Sequence, residues 1–454
     1  MANSNQSKRI AIIGGGITGL TAAWRLHSRG HRVRLFEAGE RLGGAVRSER
    51  SDGWLVEAGP NTIQVGAGEI GALLDELGLG EKKLAANPAA KNRYLVRGGR
   101  LHALPASPSA LLKSKLFSFS GKVRALADFL APRLARTEDL SLAEFVRTHF
   151  GQELVDYALE PFVAGIFAGD PEMLSTRHSF PPLLEIERTH GSLLRGQIAL
   201  ARQRRAQGAP PPQLLSFPDG LQTVIETLAA ALPAGTIALR AKIDAIQPGP
   251  PWRITWQEGA CVADADAVIL AIPAPALVRL HIGGGLPLAD LSTIEYPPVA
   301  SLFLGFKREQ VTHPLDGFGL LVPKRESLPM LGVLFSSTMF PGRAPAGHVG
   351  LTVMAGGARQ PELARLLPDA LLTAVMPGLR SLLGVRGNPV FARHTAWPHA
   401  IPQYNLGYER FHDVMASVEK SFPGLLIGGH VRDGIALSAC ITSGLRLADR
   451  AGAA

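Results

Sequence analysis

The stretch from Arg9 to Glu37 constrains the fold more than any other part of the chain. An apolar, β-branched run ending at Ile13 precedes three glycines in the spacing GxGxxG, at Gly14, Gly16 and Gly19. A helix-like segment over 17–28 follows, and the apolar run 33–37 ends in the acid Glu37. Strand, glycine turn, helix and second strand in this order predict a βαβ unit that binds a dinucleotide.

Each part of this unit has a physical role in holding a dinucleotide. Gly14 permits the tight turn, Gly16 lets the backbone approach a pyrophosphate, and Gly19 lets the helix pack closely on the strand. The free N–H groups and dipole at the start of the helix favour phosphate. Glu37 can accept hydrogen bonds from ribose hydroxyls. The residues predicted to bind the cofactor here are Gly14, Gly16, Ile17, Thr18, Gly19, Glu37 and Ala38.

Later glycine turns extend the predicted site. Arg41 and the pair Gly43–Gly44 resemble the second FAD signature of the amine oxidase and phytoene desaturase superfamily; a plain basic turn is the alternative. In that superfamily a final strand, glycine turn and helix return to cover the flavin ring. The apolar run 425–427 and the helix-like segment after Ala436 match that unit. The further residues that the resemblance implies for FAD are Arg41, Gly43, Gly44, Gly59, Pro60, Asn61, Ile243, Gly429, Gly434 and Ile435.

Size and composition bound the class of protein. A chain of 454 residues, 46% of them hydrophobic, is long enough for two or three packed domains. The two cysteines, Cys261 and Cys440, have no metal or redox spacing, so neither a metal site nor a disulfide framework is expected. We expect that the polar segment 1–8 is not a signal peptide, and the sequence contains no apolar run long enough to span a bilayer. We therefore expect a cytoplasmic protein.

The excess positive charge is concentrated in one segment. The net charge is +9, and residues 91–136 contain ten Lys or Arg against one acid, Asp128. Leucines and phenylalanines are interleaved with these cations between Leu111 and Leu130, which predicts a surface that docks on anionic lipid. A solvated helix face is the alternative. Nucleic acid is disfavoured because paired aromatics on a strand platform are lacking. The expected location is the cytoplasmic side of the inner membrane, as a peripheral protein.

Between these regions the chain predicts a helical layer and a second sheet. Ser141 is a predicted N-cap, with Glu144 at the capping-box position, for a helix that Gly151 ends. Residues 152–163 predict a second helix, and 209–218 a proline-rich linker. The predicted strands are 238–246, 252–256 and 267–272, followed by an antiparallel set at 296–306, 318–322, 331–337 and 349–355.

Longer motifs sharpen the interpretation, and they occur along nearly the whole chain. They are Asn92–Pro105, Glu160–Asp170, Leu174–Ser175, Phe180–Pro182, Glu187–His190, Asp316–Pro323, Leu334–Pro341 and Ile401–Gly407. On these motifs the chain resembles the oxygen-dependent, FAD-containing protoporphyrinogen oxidases. This family removes six electrons from a porphyrinogen and passes them through FAD to dioxygen, releasing hydrogen peroxide.

The resemblance implies an α/β fold in three parts. A discontinuous Rossmann-like FAD-binding domain, of the p-hydroxybenzoate hydroxylase type, would comprise 1–88, 212–275 and 396–454. A mixed-sheet substrate domain would comprise 89–105, 186–211 and 276–395. A helical membrane-binding domain would comprise 106–185.

The resemblance also implies a substrate site. Arg93 would bind a propionate, since guanidinium suits a carboxylate, and Phe335 would stack on a pyrrole ring. Leu302 and Phe318 would clamp the opposite face, and a backbone carbonyl of the Ala168–Gly169 turn would approach a pyrrole N–H. Each of these residues has a structural alternative, as a surface charge, a core side chain or a helix-ending glycine. Asn61 would contact substrate or hold its turn. No general base is identified.

Other functions remain open at this point. The nearest alternative oxidises coproporphyrinogen III, which has four carboxylates, and the basic segment could serve that substrate. An amine oxidase or a carotenoid desaturase is disfavoured by the Arg93, Gly169 and Phe335 motifs. A flavin- or porphyrin-binding carrier without turnover belongs to a different class. A homodimer and transfer of the product to ferrochelatase are both compatible with the resemblance.

Overall fold

A computed structural model describes residues 7–66, 68–105, 108–208 and 211–453. Residues 1–6 of the polar N-terminal segment, 106–107 of the basic segment and 209–210 of the proline-rich linker lie outside the described residues.

A parallel sheet of five strands carries the predicted dinucleotide unit. The first strand lies at its centre, where Ile13 is in register with Phe36 on one side and Leu270 on the other. Helices Ile17–Ser28 and Leu437–Ala453 pack together on one face of the sheet. In order across the sheet, the strands are Ile237–Ala238, Arg32–Phe36, Arg9–Ile13, Ala267–Leu270 and Leu425–Ile427. The predicted parallel, Rossmann-like sheet is confirmed.

A four-stranded sheet covers the other face of the parallel sheet. Its strands are Cys261–Ala265, Trp252–Trp256, Ile243–Gln247 and His281–Ile282. The predicted single strand over 238–246 was wrong, because Arg240 adopts a left-handed conformation with φ of 54°. The backbone N–H groups of Arg240 and Ala241 donate to Gly39 and Glu37. The chain thereby leaves one sheet and enters the other.

A mixed seven-stranded sheet forms the second large unit. The predicted antiparallel set is confirmed, and Asn92–Arg97 joins it in parallel with Gly317–Leu321. In order, the strands are Phe391–Trp397, Val299–Lys307, His348–Gly356, Gly332–Leu334, Gly317–Leu321, Asn92–Arg97 and Arg100–Ala103. Two small sheets complete the strands, one of Ser48–Ser51 and Trp54–Glu57, the other of Ile63–Val65, Gln213–Ser216 and Leu84–Ala85.

The two faces of the seven-stranded sheet differ. Side chains alternate along a strand, and those of Ala300, Leu302 and Leu304 lie in a core with helix Pro368–Leu383. The alternate side chains, beginning with Val299, project from the opposite side, which we call the front face. This face packs against the helical layer through Val299 and against strand Trp54–Glu57 through Phe303.

A helical layer lies on the front-face side. Its helices are Pro108–Lys113, Phe119–Ala127, Leu142–Phe150, Gln152–Leu154, Glu160–Phe167, Thr176–Ser179, Pro181–His190 and Leu193–Ala206. Ser141 is the N-cap as predicted, since its side chain accepts from the Glu144 N–H at 3.1 Å. The predicted helix 152–163 is instead three joined pieces that extend to Phe167, with a π-helical turn at Val155–Leu159.

The boundaries predicted from the sequence need two corrections. Ile186 and Leu193 pack in the same core as Phe145, so the helical layer continues through Ala206 rather than ending at 185. Leu288 and Leu291 pack with the parallel and four-stranded sheets, so 276–296 does not belong to the seven-stranded unit. The remaining α-helices of four or more residues are Glu69–Glu76, Gln222–Ala230, Ala274–Leu277, Ser336–Met339 and Glu409–Ser421. Among all described residues, no helix has the length and apolarity needed to cross a bilayer.

Candidate functional site

The first glycine turn closes onto the parallel sheet. A Cβ added at Gly19 would lie 2.0 Å from the carbonyl oxygen of Gly14, so helix and strand touch through backbone alone. A Cβ added at Gly16 would meet nothing within 4 Å. Helix Ile17–Ser28 begins directly after Gly16 with no side-chain cap, which leaves its first N–H groups available to a ligand.

Glu37 lies beside this turn, as predicted. Its carboxylate accepts the backbone N–H of Gly15 at 2.7 Å and that of Gly39 at 2.8 Å. These bonds fix the side chain at the mouth of the turn, where a ribose would lie against the end of the second strand. Ile243, at the start of its strand, follows the 240–241 backbone that pairs with Gly39 and Glu37.

The second predicted signature lies against the first. Gly43 donates its N–H to the carbonyl of Gly15 at 2.8 Å. The Arg41 guanidinium donates to the carbonyls of Leu42, Val46 and Gly44. Arg41 therefore stabilises this turn through the hydrogen bonds of its guanidinium. Direct binding of a cofactor by that guanidinium stays a prediction.

The turn at 58–61 adjoins these two. A Cβ at Gly59 would lie 2.2 Å from the Ala45 carbonyl oxygen. Asn61 donates its side-chain N–H to the Gly59 carbonyl at 3.0 Å, which matches the turn-holding role considered from the sequence. The indole N–H of Trp397, on the seven-stranded sheet, donates to Ala58 at 2.9 Å and ties this turn to the front face.

The glycine turn at residues 428–434, which we call the late glycine turn, packs against the first glycine turn at residues 14–19. Gly429 and Gly434 adopt φ of 93° and 117°, which favour glycine, and a Cβ at Gly429 would lie 3.4 Å from the Thr18 hydroxyl. Tyr404 joins the two ends of this turn, since its hydroxyl donates to the His430 carbonyl and accepts the Gly434 N–H at 3.0 Å. Ile435 packs between the four-stranded sheet and the helical layer.

The arrangement fits an extended dinucleotide. The turns at 14–19, 41–46, 58–61 and 428–434 converge from four parts of the chain. The open space above Gly16 and the uncapped helix start are what a pyrophosphate needs. All the sequence-predicted cofactor residues lie on these turns or next to them, except Ile243, which begins a neighbouring strand.

Arg93 lies on the front face at the far side of the seven-stranded sheet. Its side chain is exposed, and its guanidinium lies 5.5 Å from the centre of the Phe318 ring. A bulge at Gly317–Gly319 shifts the strand register here, which lets Phe318 share a side with Arg93. The described residues provide no carboxylate partner for Arg93. Arg97, two side chains further on the same face, is already paired with Glu153 at 2.7 Å.

The Ala168–Gly169 turn packs against the front face of the seven-stranded sheet. Ala168 is left-handed with φ of 50°, and its carbonyl accepts the Ala358 N–H at 2.7 Å. Helix Glu160–Phe167 is anchored to the sheet by Glu160, which pairs with Arg359 at 2.8 Å. Burial raises the pKa of Glu160 and lowers that of Arg359.

Two predicted substrate contacts were wrong in orientation. Leu302 is 1% exposed and points into the core behind the sheet. Phe335 is fully buried in that same core, with its ring 6.4 Å from Tyr94 and 5.7 Å from His313. Neither side chain reaches the front face, because strand register places Leu302 on the other side and the chain turns Phe335 into the core just after strand Gly332–Leu334 ends.

The front face instead presents residues that the sequence interpretation missed. Met354 is opposite Ser301 in register, so its partly exposed side chain projects between the sheet and the Ala168 turn. Leu334 and Trp397 are also partly exposed and share this side by register. The signal was present in 349–355, where Leu351, Val353 and Ala355 alternate with Met354. The apolar front-facing residues of this floor are Leu321, Leu334, Met354 and Trp397.

The buried titratable groups near the late turn do not favour proton transfer. Burial lowers the pKa of His430 to about 4, so the ring is neutral at ordinary pH. Burial also raises the pKa of Tyr404 and of Tyr296, which keeps both phenols protonated. These groups shape the turn. The described residues contain no cluster of three His, Cys, Asp or Glu that could hold a metal ion.

Comparisons with known proteins agree with this geometry. The family described as flavin containing amine oxidoreductase matches residues 17–451. Protoporphyrinogen oxidase 2, chloroplastic/mitochondrial, of Arabidopsis thaliana is 36% identical, over 97% of this chain and 93% of that protein. Coproporphyrinogen III oxidase of Bacillus subtilis is 28% identical, over 97% of both chains.

A solved structure shows the same architecture. The putative protoporphyrinogen oxidase from Exiguobacterium sp. 255-15 superposes with a TM-score of 0.83 at 28% identity, over 99% of both chains. The chain therefore belongs to the flavin-containing amine oxidoreductase family, as a protoporphyrinogen oxidase-like member whose cofactor is FAD.

Proposed function

We propose that this protein is an FAD-dependent porphyrinogen oxidase that converts protoporphyrinogen IX to protoporphyrin IX. The observation that carries the proposal is the apolar front face, which runs from the FAD turns at Trp397 to the unpaired cation Arg93. These two residues lie on strands separated by five strand spacings, roughly 24 Å. A flat apolar macrocycle with carboxylates at one edge matches a floor of this kind.

The side chains perform binding and orientation in this proposal. Arg93 would hold a propionate, and Phe318 beneath it would keep the guanidinium in place. Leu334 and Met354 would lie against the macrocycle, and the Gly169 carbonyl would face a pyrrole N–H. Among the described residues no donor engages that carbonyl, so it is available. When bound, FAD would accept the six electrons two at a time in three rounds, and each round would pass two electrons and two protons to one dioxygen, giving three hydrogen peroxide molecules in all.

Charge favours protoporphyrinogen over coproporphyrinogen. A substrate with four carboxylates needs several free cations at the cleft, whereas the neighbouring Arg97 is already committed to Glu153 and to the Leu116 carbonyl. The Arg93 guanidinium, which has no carboxylate partner among the described residues, suits a substrate with carboxylates along one edge. The similarity to the Bacillus subtilis enzyme makes coproporphyrinogen III the competing substrate to test.

The test compares the two porphyrinogens in air with the purified, FAD-loaded protein. Porphyrin fluorescence and peroxide are followed against a control without protein. Faster turnover of protoporphyrinogen IX supports the proposal; a preference for coproporphyrinogen III would assign the competing reaction. Formation of neither porphyrin nor peroxide with both substrates, while FAD is bound, would reject the oxidase and favour the carrier.

Arg93→Ala tests the substrate site within the same assay. We expect KM to rise about tenfold, because a charge-assisted bond of about 1.5 kcal/mol is lost, while FAD content is unchanged. Lys91→Ala, an exposed cation two residues earlier, is the matched control. An unchanged KM in Arg93→Ala would remove this residue from the site.

We also propose that the helical layer docks on an anionic membrane surface. In helix Phe119–Ala127 the buried positions are small, Gly121 and Ala125, whereas the exposed positions include the large apolar residues Phe119, Val123 and Leu126. Phe119 is 83% exposed, and Leu130, in the turn that follows, is 86% exposed. An apolar face turned outward beside cations is the pattern of an interfacial helix. The exposed apolar residues of segment 119–130, which we call the outer face, are Phe119, Val123, Leu126, Phe129 and Leu130.

A further inference from the structure

Gln403 lies at the point where the helical layer meets the FAD region. Its side chain is 3% exposed. The amide N–H group donates to the Phe167 carbonyl at 2.8 Å and to the Ile401 carbonyl at 3.0 Å. Its backbone N–H donates to the backbone carbonyl of Glu295 at 2.9 Å. A single buried side chain thus holds the end of helix Glu160–Phe167.

The oxygen of the Gln403 side-chain amide explains why residue 169 is a glycine. The Gln403 Oε1 atom is buried and has no hydrogen-bond partner among the described residues. A Cβ added at Gly169 would lie 2.1 Å from that oxygen and 3.2 Å from the amide carbon. Gly169 has no positive φ that would itself demand glycine. The position excludes a side chain because Gln403 already fills the space.

The next residue, Tyr404, makes its side-chain hydrogen bonds to the late glycine turn and not to the Phe167–Gly169 turn. Tyr404 bonds the His430 carbonyl and the Gly434 N–H, at the two ends of the late glycine turn. Its own carbonyl accepts the Ser175 N–H at 2.8 Å, which ties the segment to the helical layer. Two consecutive residues therefore connect the Phe167–Gly169 turn with the turn beside FAD.

We propose that Gln403 is a positioning residue that sets the Phe167–Gly169 turn at a fixed distance from the FAD turn, through its neighbour Tyr404. The inference rests on the proposed function, in which the Gly169 carbonyl faces the substrate. Gln403 itself touches no substrate, because its side chain is buried behind the turn. Its effect is on the orientation of the macrocycle, where a displacement of about 1 Å can lower the rate about 100-fold.

The first experiment compares two neighbouring variants in the FAD-loaded enzyme. We expect Gln403→Leu to lower kcat/KM for protoporphyrinogen IX by about tenfold or more, with normal FAD content and absorbance spectrum. Tyr404→Phe, which removes the bonds to the turn beside FAD, is expected to lower kcat/KM as well and, unlike Gln403→Leu, to weaken FAD retention. Gln403→Leu with a lower Tm and unchanged kinetic constants would show a merely structural role and overturn the inference.

The second experiment is a double-mutant cycle between Gly169 and Gln403. Gly169→Ala alone should lose most activity, since the new methyl displaces the amide. Gly169→Ala combined with Gln403→Ala should be no worse than Gln403→Ala alone, because the obstructing group is gone. Strictly additive losses would mean that the two residues do not interact and would overturn the inference.

The wild-type assay separates this inference from the proposed function. Wild-type protein that turns over neither porphyrinogen would overturn the proposed function and, with it, this role for Gln403. If the wild-type protein turns over a porphyrinogen and Gln403→Leu has the same kinetic constants, only the role of Gln403 is overturned.

Discussion

Two glycines of one turn exclude a side chain for opposite reasons. At Gly19 the protein itself occupies the space, because the Gly14 carbonyl oxygen lies 2.0 Å from where a Cβ would be, whereas at Gly16 the space is open. Only a ligand can require glycine at an open position with ordinary backbone angles; Gly16 has φ of −74°.

This difference gives a prediction at the residue scale. Gly19→Ala should unfold more readily, since such overpacking costs about 1–3 kcal/mol, and should lose FAD as a consequence. Gly16→Ala should leave the Tm of the FAD-free protein unchanged while weakening FAD binding about tenfold or more, because the methyl enters the pyrophosphate space. Thermal unfolding without FAD and titration with FAD measure the two effects. Equal FAD affinity in Gly16→Ala and wild type would contradict the assignment.

The spacing of residues in the sequence could predict the glycine turns of the cofactor site. It could predict only some of the residues of the substrate site. The glycine turns were predictable because each is a local pattern with a local cause. Leu302 and Phe335 were misplaced because the direction of a side chain depends on strand register and on a turn at the strand end. Phe318 faces Arg93 only because of a bulge, which no local pattern specified.

At the scale of elements, the segment 119–130 combines an ionic interior with an apolar exterior. Asp128, the one acid of the basic segment, is buried and lies 2.5 Å from His149, whose other ring nitrogen is 3.1 Å from Glu187. Glu187 is also bonded by Arg136. The buried network fixes the inner side of the segment, so its outer face cannot simply turn inward to hide Phe119 and Leu130.

Vesicle binding tests the outer face. We expect Val123→Ser, Leu126→Ser and Leu130→Ser combined to weaken binding to vesicles containing anionic lipid about 100-fold, at about 1 kcal/mol of apolar contact per residue. Leu367→Ser, at a residue that is 77% exposed on the seven-stranded unit, is the control. Unchanged vesicle binding in the triple variant would show that the face is merely solvated.

The structure also indicates which cations of the basic segment can be replaced in the vesicle-binding assay without disturbing the helix packing. Arg124 donates to the Thr148 carbonyl and packs against Gly151, so replacing it would disturb the helix packing. Exposed cations outside such contacts, such as Lys113 and Arg133, are better targets. The sequence could predict a basic, apolar segment, but helix packing decides which of its cations are structural.

At the scale of the whole molecule, neutral histidines are distributed through the interior. Burial lowers the pKa of His31, His313, His394, His412 and His430, the last to about 4. The folded-state pKa of each lies below the unfolded value of about 6.5. Below that pH the unfolded chain binds more protons than the folded one, so the free energy of unfolding falls with falling pH.

The pH dependence of stability can be assigned to one residue by mutation. For His430 the loss runs from about pH 6.5 down to about pH 4 and amounts to about 3 kcal/mol at the lower limit. His430→Gln should therefore flatten the fall in urea-unfolding free energy over this range, whereas the exposed His281→Gln should not. An equally steep fall in His430→Gln would contradict a neutral, buried ring.

The order of strands in the parallel sheet has a consequence for synthesis on the ribosome. The strand Arg9–Ile13 emerges early, but one flank of its sheet is completed only by Leu425–Ile427 and the glycine turn that follows. A nascent chain that stops before residue 425 carries the first phosphate turn without the segment that meets Thr18. Stable capture of the flavin is therefore postponed until translation has passed this point. Prematurely terminated chains would remain colourless and redox-inert rather than becoming partial oxidases.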